Sequence, residues 1–362
     1  MTTKRINVTK SFLPPPEEYR QMLERIWESE WLTNNGPLLV ELEGKLQQKL
    51  DLPYLAITGN GTIAIQLAIK ALNLSGEIIT TPFSYCATTT SILWENLKPV
   101  FVDINPGDLN INADLVESAI TDKTSAILAT HVYGNPCDVE KLEALGKKYD
   151  LKIIYDAAHA FGVEYKGRSL LAYGDVSTCS FHATKVFHTV EGGCVVCHDP
   201  DLFETIKLMR SFGHVQDEYF LAGVNGKNSE FHAAMGLVNL GHLDTIIAGR
   251  KEIFRIYDGL LNWEKLYKPT ETATDLVYNY AYYPVVLPDM DTTLQVLDAL
   301  QQENIYPRRY FYPTLNTLKY VPVQYDCPVS EDVSPRVISL PLYPDLDHEI
   351  VRKIARIINA HI

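Results

Sequence analysis

The chain is short of positive charge. Its 362 residues carry 32 Lys and Arg against 45 Asp and Glu, a formal net charge of −13. That excludes the broad basic surface on which nucleic-acid binding rests. It leaves room for a local basic pocket facing a pyrophosphate. Long apolar runs are missing as well. No stretch reaches the roughly 20 residues that a membrane-spanning helix needs. The opening MTTKRINVTKSF has no apolar core of the kind found in signal peptides. The six cysteines, at 86, 137, 179, 194, 197 and 327, show no disulfide framework. Cys194 and Cys197 form a CxxC with no second pair at ligand spacing, so no metal is expected. In their valine-rich setting they read as buried thiols. These absences predict a soluble cytoplasmic protein that binds neither membrane nor nucleic acid.

What is present is apolar content of 46%, ample for a core, in a chain long enough for one large domain or two. Strand and helix patterns alternate. Helical spacing over 17–30 and 40–50 precedes a strand at 54–57 and a helix from Gly61 to Leu72. Strands follow at 78–80, 99–103, 126–130 and 152–155, with helices at 87–95, 113–120 and 139–149 between them. That order implies a mostly parallel sheet with right-handed crossovers. Helices are expected at 199–212 and 231–250, separated by a long polar, Gly-rich loop. From about residue 250 the pattern changes to helix 251–261, strand 280–286, helix 292–303, strand 337–340 and helix 348–358. The expected division is a large domain at 17–249 and a smaller α+β domain at 250–362, with 1–16 packing on the latter.

The chemistry concentrates between Ile153 and Val196. Asp156 ends an apolar strand, where open α/β sheets bind ligands. A carboxylate among Ala157, Ala158 and His159 needs a cationic or protonated partner. Lys185 leaves the buried strand Thr178–Phe181, a poorly solvated place suited to a Schiff-base lysine. Taken alone, Asp156 reads equally as a helix cap and Lys185 as a surface lysine. Together, and with Ser180 five positions before the lysine, they are the parts of a pyridoxal phosphate (PLP) site. Gly61 and Thr62 open a helix whose free N–H groups suit the phosphate. Tyr85, at a strand exit, can stack on a flat ring.

These pieces resemble the DegT/DnrJ/EryC1/StrS sugar aminotransferases, a family of fold-type I PLP enzymes. The matching segments run in order: TTPFSYCAT (80–88), KPVFVDI (98–104), HVYGNPCD (131–138), DAAHAFG (156–162), SFHATK (180–185), EGG (191–193) and GVNGKNSEFHAAMG (223–236). The resemblance implies Lys185 as the cofactor's attachment and proton carrier, Asp156 on the ring nitrogen, and His159 on the ring's 3-oxygen. It places Tyr85 on the ring's face. It assigns the phosphate to Gly61, Thr62 and Ser180, with Asn225 reaching across from a neighbouring subunit of a homodimer. The family's Arg-Met is Lys227-Asn228 here, which leaves Asn225 aligned. L-glutamate is the implied donor, leaving as 2-oxoglutarate, and a nucleotide sugar the acceptor. WLTNNGPL (31–38) and HATKVFHTVEGG (182–193) are similar to the branch acting on dTDP-4-keto-6-deoxyglucose. Asn34, Asn35, Arg308, Tyr310 and Tyr312 are the implied substrate contacts. A related dehydratase branch carries His where Lys185 stands. A non-catalytic PLP-binding relative, or a 3-keto or UDP-linked acceptor, remains an alternative.

Overall fold

The computed structural model describes residues 5–269, 275–323 and 325–362. Seven strands form the central sheet. They are β1 (Tyr54–Thr58), β2 (Glu77–Thr80), β3 (Lys98–Phe101), β4 (Thr124–Thr130), β5 (Lys152–Asp156), β6 (Val176–Ser180) and β7 (Gly193–Cys197). Their spatial order is β1-β7-β6-β5-β4-β2-β3. The pairings from β6 to β3 are parallel. β7 runs antiparallel to both its neighbours.

The strands read as apolar runs because both faces are covered. Alternate residues feed two cores. Ile79, Ile127, Ala129 and Tyr155 join one, while Ile78, Ala126, Leu128 and Ile154 join the other. The covering helices include α1 (Pro16–Ser29), α2 (Pro37–Leu50), α3 (Gly61–Ala71), α4 (Cys86–Trp94), α5 (Val139–Tyr149) and α6 (Pro200–Arg210). α2 lays Leu38, Leu42 and Leu46 on the first core, and α3 lays Ala64, Leu67 and Ala68 on the second.

Several boundaries differ from the sequence expectation. α2 begins at Pro37 rather than Val40. The buried carboxylate of Glu230 accepts the N–H groups of Leu38 and Leu39, at 2.7 and 3.0 Å, so its cap comes from far along the chain. The helix expected over 113–120 is one α-turn, Ala113–Val116, followed by a 3-10 turn, Glu117–Ala119. The helix expected over 231–250 is broken. It divides into α7 (Glu230–Gly241) and α8 (Leu243–Leu260) at His242, which follows helix-weakening Gly241 and pairs with Glu18 at 2.7 Å. The separate helix expected over 251–261 is therefore the second half of α8, which runs uninterrupted across residues 249 and 250.

Beyond α8, β8 (Tyr283–Val286) pairs antiparallel with β9 (Val337–Leu340). α9 (Met290–Gln302) and α10 (His348–His361) complete this part. Near the N-terminus, Ile6 and Asn7 pair in parallel with Ile305 and Tyr306, and the Leu342 N–H donates to Val8 O.

α2, β1 and α6 are locked by one buried ion pair. Arg210, 2% exposed, meets Glu43 Oε1 at 2.6 Å and also donates to the Ile57 carbonyl. Glu43 accepts the Ile57 N–H at 2.8 Å with the same oxygen. Removing one partner strands a buried charge. Arg210→Ala is therefore expected to lower the unfolding free energy by about 3 kcal/mol, measured as the shift in urea midpoint. An unchanged midpoint contradicts the assignment.

Candidate active site

A cleft of about 310 Å3 opens at the C-terminal edge of the parallel strands. Asn60, Gly61 and Thr62 follow β1, Ser84 and Tyr85 follow β2, Thr130 ends β4, and Asp156 ends β5. Ser180 ends β6, with Lys185 just beyond it, while Glu191 leads back into β7. Tyr282, Arg308, Tyr310 and Phe311 close it from the C-terminal part.

Asp156 is buried. Thr88 Oγ1 donates to its Oδ2 at 2.7 Å, and the Ala158 N–H donates to Oδ1 at 3.1 Å. Behind Thr88 stand Ser84, 2.7 Å away, and Thr130, which donates to Ser84 Oγ at 3.0 Å. With Thr88 and Thr130 both donating, the middle hydroxyl must donate to Thr88. All three therefore point their protons toward the carboxylate. Burial still pushes the Asp156 carboxyl up, opposed by Thr88, the Ala158 N–H and the field of Lys185. No cation among the described residues lies within ion-pair distance of it.

His159 is also buried, and burial holds its pKa well below the usual imidazole value. Its Nδ1 accepts the Tyr133 N–H at 3.2 Å, which leaves the neutral ring's proton on Nε2. The bond needs an unusual backbone: Tyr133 is fully buried at φ 57°. The His159 ring lies parallel to Phe311, 5.7 Å between centroids. Lys185 is presented by a tight turn in which its own N–H donates to the His182 carbonyl at 2.9 Å. Its Nζ donates to the Tyr282 hydroxyl at 3.5 Å.

At the other end, α3 points its N-terminus into the cleft. Asn60 Oδ1 caps the Ile63 N–H at 2.9 Å. The N–H groups of Gly61 and Thr62 find no acceptor among the described residues. A Cβ on Gly61 would come within 3.0 Å of the Ser180 Cβ, so glycine keeps this cradle open.

This donor set fits pyridoxal phosphate. A phosphate suits the α3 N-terminus, and a protonated ring nitrogen supplies the cation that Asp156 lacks. Seven of the expected cofactor residues line this cleft: Gly61, Thr62, Tyr85, Asp156, His159, Ser180 and Lys185, with Arg308 and Tyr310 at its mouth. Four other expected residues do not reach the cleft of their own chain. Asn34 and Asn35 sit exposed at φ 59° and 58°. Tyr312 lies under the Arg309 guanidinium, 3.7 Å from its ring centre. Asn225 is exposed and accepts from Lys227 Nζ at 2.8 Å. Ser84, Thr88, Thr130, Glu191, Tyr282 and Phe311 were not singled out from sequence. Ser84 and Thr88 stand in TTPFSYCAT, and Thr130 just precedes HVYGNPCD. Tyr282 has no local signal.

A lysine and a buried carboxylate at neighbouring strand ends, facing an anion-binding helix start, define a PLP-dependent enzyme on an α/β sheet. The model of the DegT/DnrJ/EryC1/StrS aminotransferase family matches residues 16–359. The chain belongs to that family, whose members depend on PLP. It is 41% identical to the dTDP-4-amino-4,6-dideoxy-D-glucose transaminase of Shigella dysenteriae over 97% of each chain. It is 39% identical to the Escherichia coli transaminase of the same name over 99% of each. Among solved structures it is similar to DesI in the presence of its TDP-sugar product, with TM-score 0.92 and 30% identity. That match covers 98% of this chain and 92% of DesI. Among the described residues no helix is long and apolar enough to cross a membrane, and no His/Cys/Asp/Glu cluster could hold a metal ion.

Behind the cleft His131 stacks on Tyr155 at 4.4 Å and accepts the Cys137 N–H at 3.1 Å. Burial pulls its pKa down to about 3. The unfolded histidine binds its proton near 6.5, so the stability contribution is whole above that pH and is lost as pH falls. From pH ~7 to ~5 the loss is about 2 kcal/mol for His131, and His159 acts with the same sign. Asp156, pushed up, acts oppositely: its penalty stands above its folded pKa and is relieved by acid. His131→Gln is expected to flatten the fall of urea midpoint over that pH window. An unchanged slope contradicts the account.

Proposed function

We propose that the protein transfers the amino group of L-glutamate to dTDP-4-keto-6-deoxyglucose, giving dTDP-4-amino-4,6-dideoxyglucose and 2-oxoglutarate, in the cytoplasm. The observation that carries the chemistry is Lys185 in one cleft with a buried Asp156 that has no cation at ion-pair distance among the described residues. The choice of acceptor is supported by the two transaminases that match nearly the whole chain.

When bound, PLP supplies an electron sink for the carbon that loses a proton. Lys185 Nζ would hold the cofactor and, once free, would be the group that takes up and gives back the proton. Asp156 keeps the proton on the ring nitrogen. His159 would donate from Nε2 to the 3-oxygen, and Tyr85 would pack on the ring. The N–H groups of Gly61 and Thr62 and the Ser180 hydroxyl bind the phosphate, with Asn225 completing it from a second copy in a homodimer. Arg308 and Tyr310, with Asn34, Asn35 and Tyr312 around the mouth, meet the nucleotide sugar, Arg supplying paired donors to phosphate. The cleft then lies between a large part, 17–249, and a smaller part, 250–362, which α8 joins.

The test is a product assay. Protein, PLP and glutamate are incubated with dTDP-4-keto-6-deoxyglucose or its 3-keto isomer, and products are identified by mass and NMR. Amination at C4 is expected. Amination of the 3-keto isomer alone overturns the acceptor and keeps the reaction class. Lys185→Ala is expected to lose about 1,000-fold or more of the rate, as removal of a proton-transfer group should. Retained turnover sinks the role of Lys185.

A further inference from the structure

The segment Tyr278–Tyr282 enters the site from the C-terminal part and is pinned along its length. The Tyr278 hydroxyl donates to the Tyr133 carbonyl at 2.8 Å. Asn279 Nδ2 donates to the carbonyls of His159 and Phe161, at 2.8 and 2.9 Å, while its Oδ1 accepts the Ala281 N–H at 3.0 Å. Arg250, buried and with no carboxylate partner among the described residues, donates to the carbonyls of Ala281 and Tyr280 at 3.1 and 3.4 Å. A buried guanidinium spent on backbone carbonyls marks a segment whose path matters.

What this path delivers is Tyr282. The residue is 6% exposed. Its ring tilts against His159 at 4.6 Å and meets Tyr310 edge-on at 5.7 Å. The hydroxyl faces Lys185 Nζ at 3.5 Å. None of these bonds is made to Lys185. The hydroxyl is therefore in place before the lysine needs it.

We propose that Tyr282 is a further catalytic residue, whose hydroxyl steadies the Lys185 amine while that amine is free and carrying a proton. The inference rests on the functional reading above. A freed lysine has four rotatable bonds and must return to one line of attack, and holding it there lowers the barrier. A phenol hydroxyl accepts from an ammonium N–H and donates to a neutral amine. The contact therefore persists as Nζ gains and loses its proton, and Tyr282 itself neither gains nor loses one. No other side chain among the described residues hydrogen-bonds Nζ.

Tyr282→Phe keeps the ring contacts and removes the hydroxyl. In the PLP-loaded enzyme kcat is expected to fall about tenfold or more with KM for both substrates held within about twofold. In cofactor-free protein, acylation of Lys185 by an N-hydroxysuccinimide ester near pH 7.5, read by peptide mass, is expected to rise about threefold, because the hydroxyl no longer engages the lone pair of the neutral amine. Unchanged kcat and unchanged acylation overturn the proposal. Should Tyr282→Phe fail to fold, Tyr282→His, which restores a ring nitrogen able to accept, is compared with Tyr282→Leu. A histidine variant no more active than the leucine variant overturns it. Wild-type protein that takes up no PLP overturns the functional reading and this inference together. An active wild type matched by Tyr282→Phe overturns this inference alone.

Discussion

A buried carboxylate with no cation at ion-pair distance among the described residues is the constraint around which this molecule is arranged. Asp156 costs folding energy where it stands, and three hydroxyls in series, Thr130, Ser84 and Thr88, are aligned to offset part of that cost. Those hydroxyls come from the ends of β4 and β2 and from α4, so the sheet order β5-β4-β2 is what brings them together. On the proposed reading, a protonated ring nitrogen would supply the countering charge. Cofactor affinity and the cost of burying Asp156 are then two sides of one interaction.

The same sheet sets the distance from Asp156 to Lys185. β5 and β6 pair in parallel with Asp156 opposite Thr178, so the turn after β6 rises beside the acid. β7 then runs back antiparallel, which places Gly193 against Ser180 and folds Glu191 into the cleft wall. A Cβ on Gly193 would meet the backbones of Asn60 and Cys179 at 2.7 Å. Glycine there lets the start of α3 and the lysine turn close on one another.

Much of this was legible along the chain. Strand ends follow from local apolar runs, and Asp156, Ser180 and Lys185 each sit at or just past one. Gly61 and Thr62 are a weak signal alone, as any short Gly-rich loop is, and become readable as a phosphate cradle only beside the lysine and the aspartate. What was not legible depends on residues distant in sequence. The Glu230 cap of α2 lies about 190 positions from the helix it starts. His242 breaks a helix whose apolar pattern continues through it. Tyr282 is one of a run of tyrosines, and its partner Lys185 is 97 positions away. Asn34, Asn35, Asn225 and Tyr312 carry no local signal beyond the family resemblance, and within one chain they stand outside the cleft.

The most direct measurement is borohydride reduction of the PLP-loaded protein followed by peptide mapping. The account predicts one modified peptide, with the reduced cofactor on Lys185, and loss of that modification in Lys185→Ala. Its yield should drop sharply in Asp156→Ala, whose ring nitrogen has lost its counter-charge. Cofactor found on another lysine, or equal labelling with Lys185 absent, would contradict the central claim.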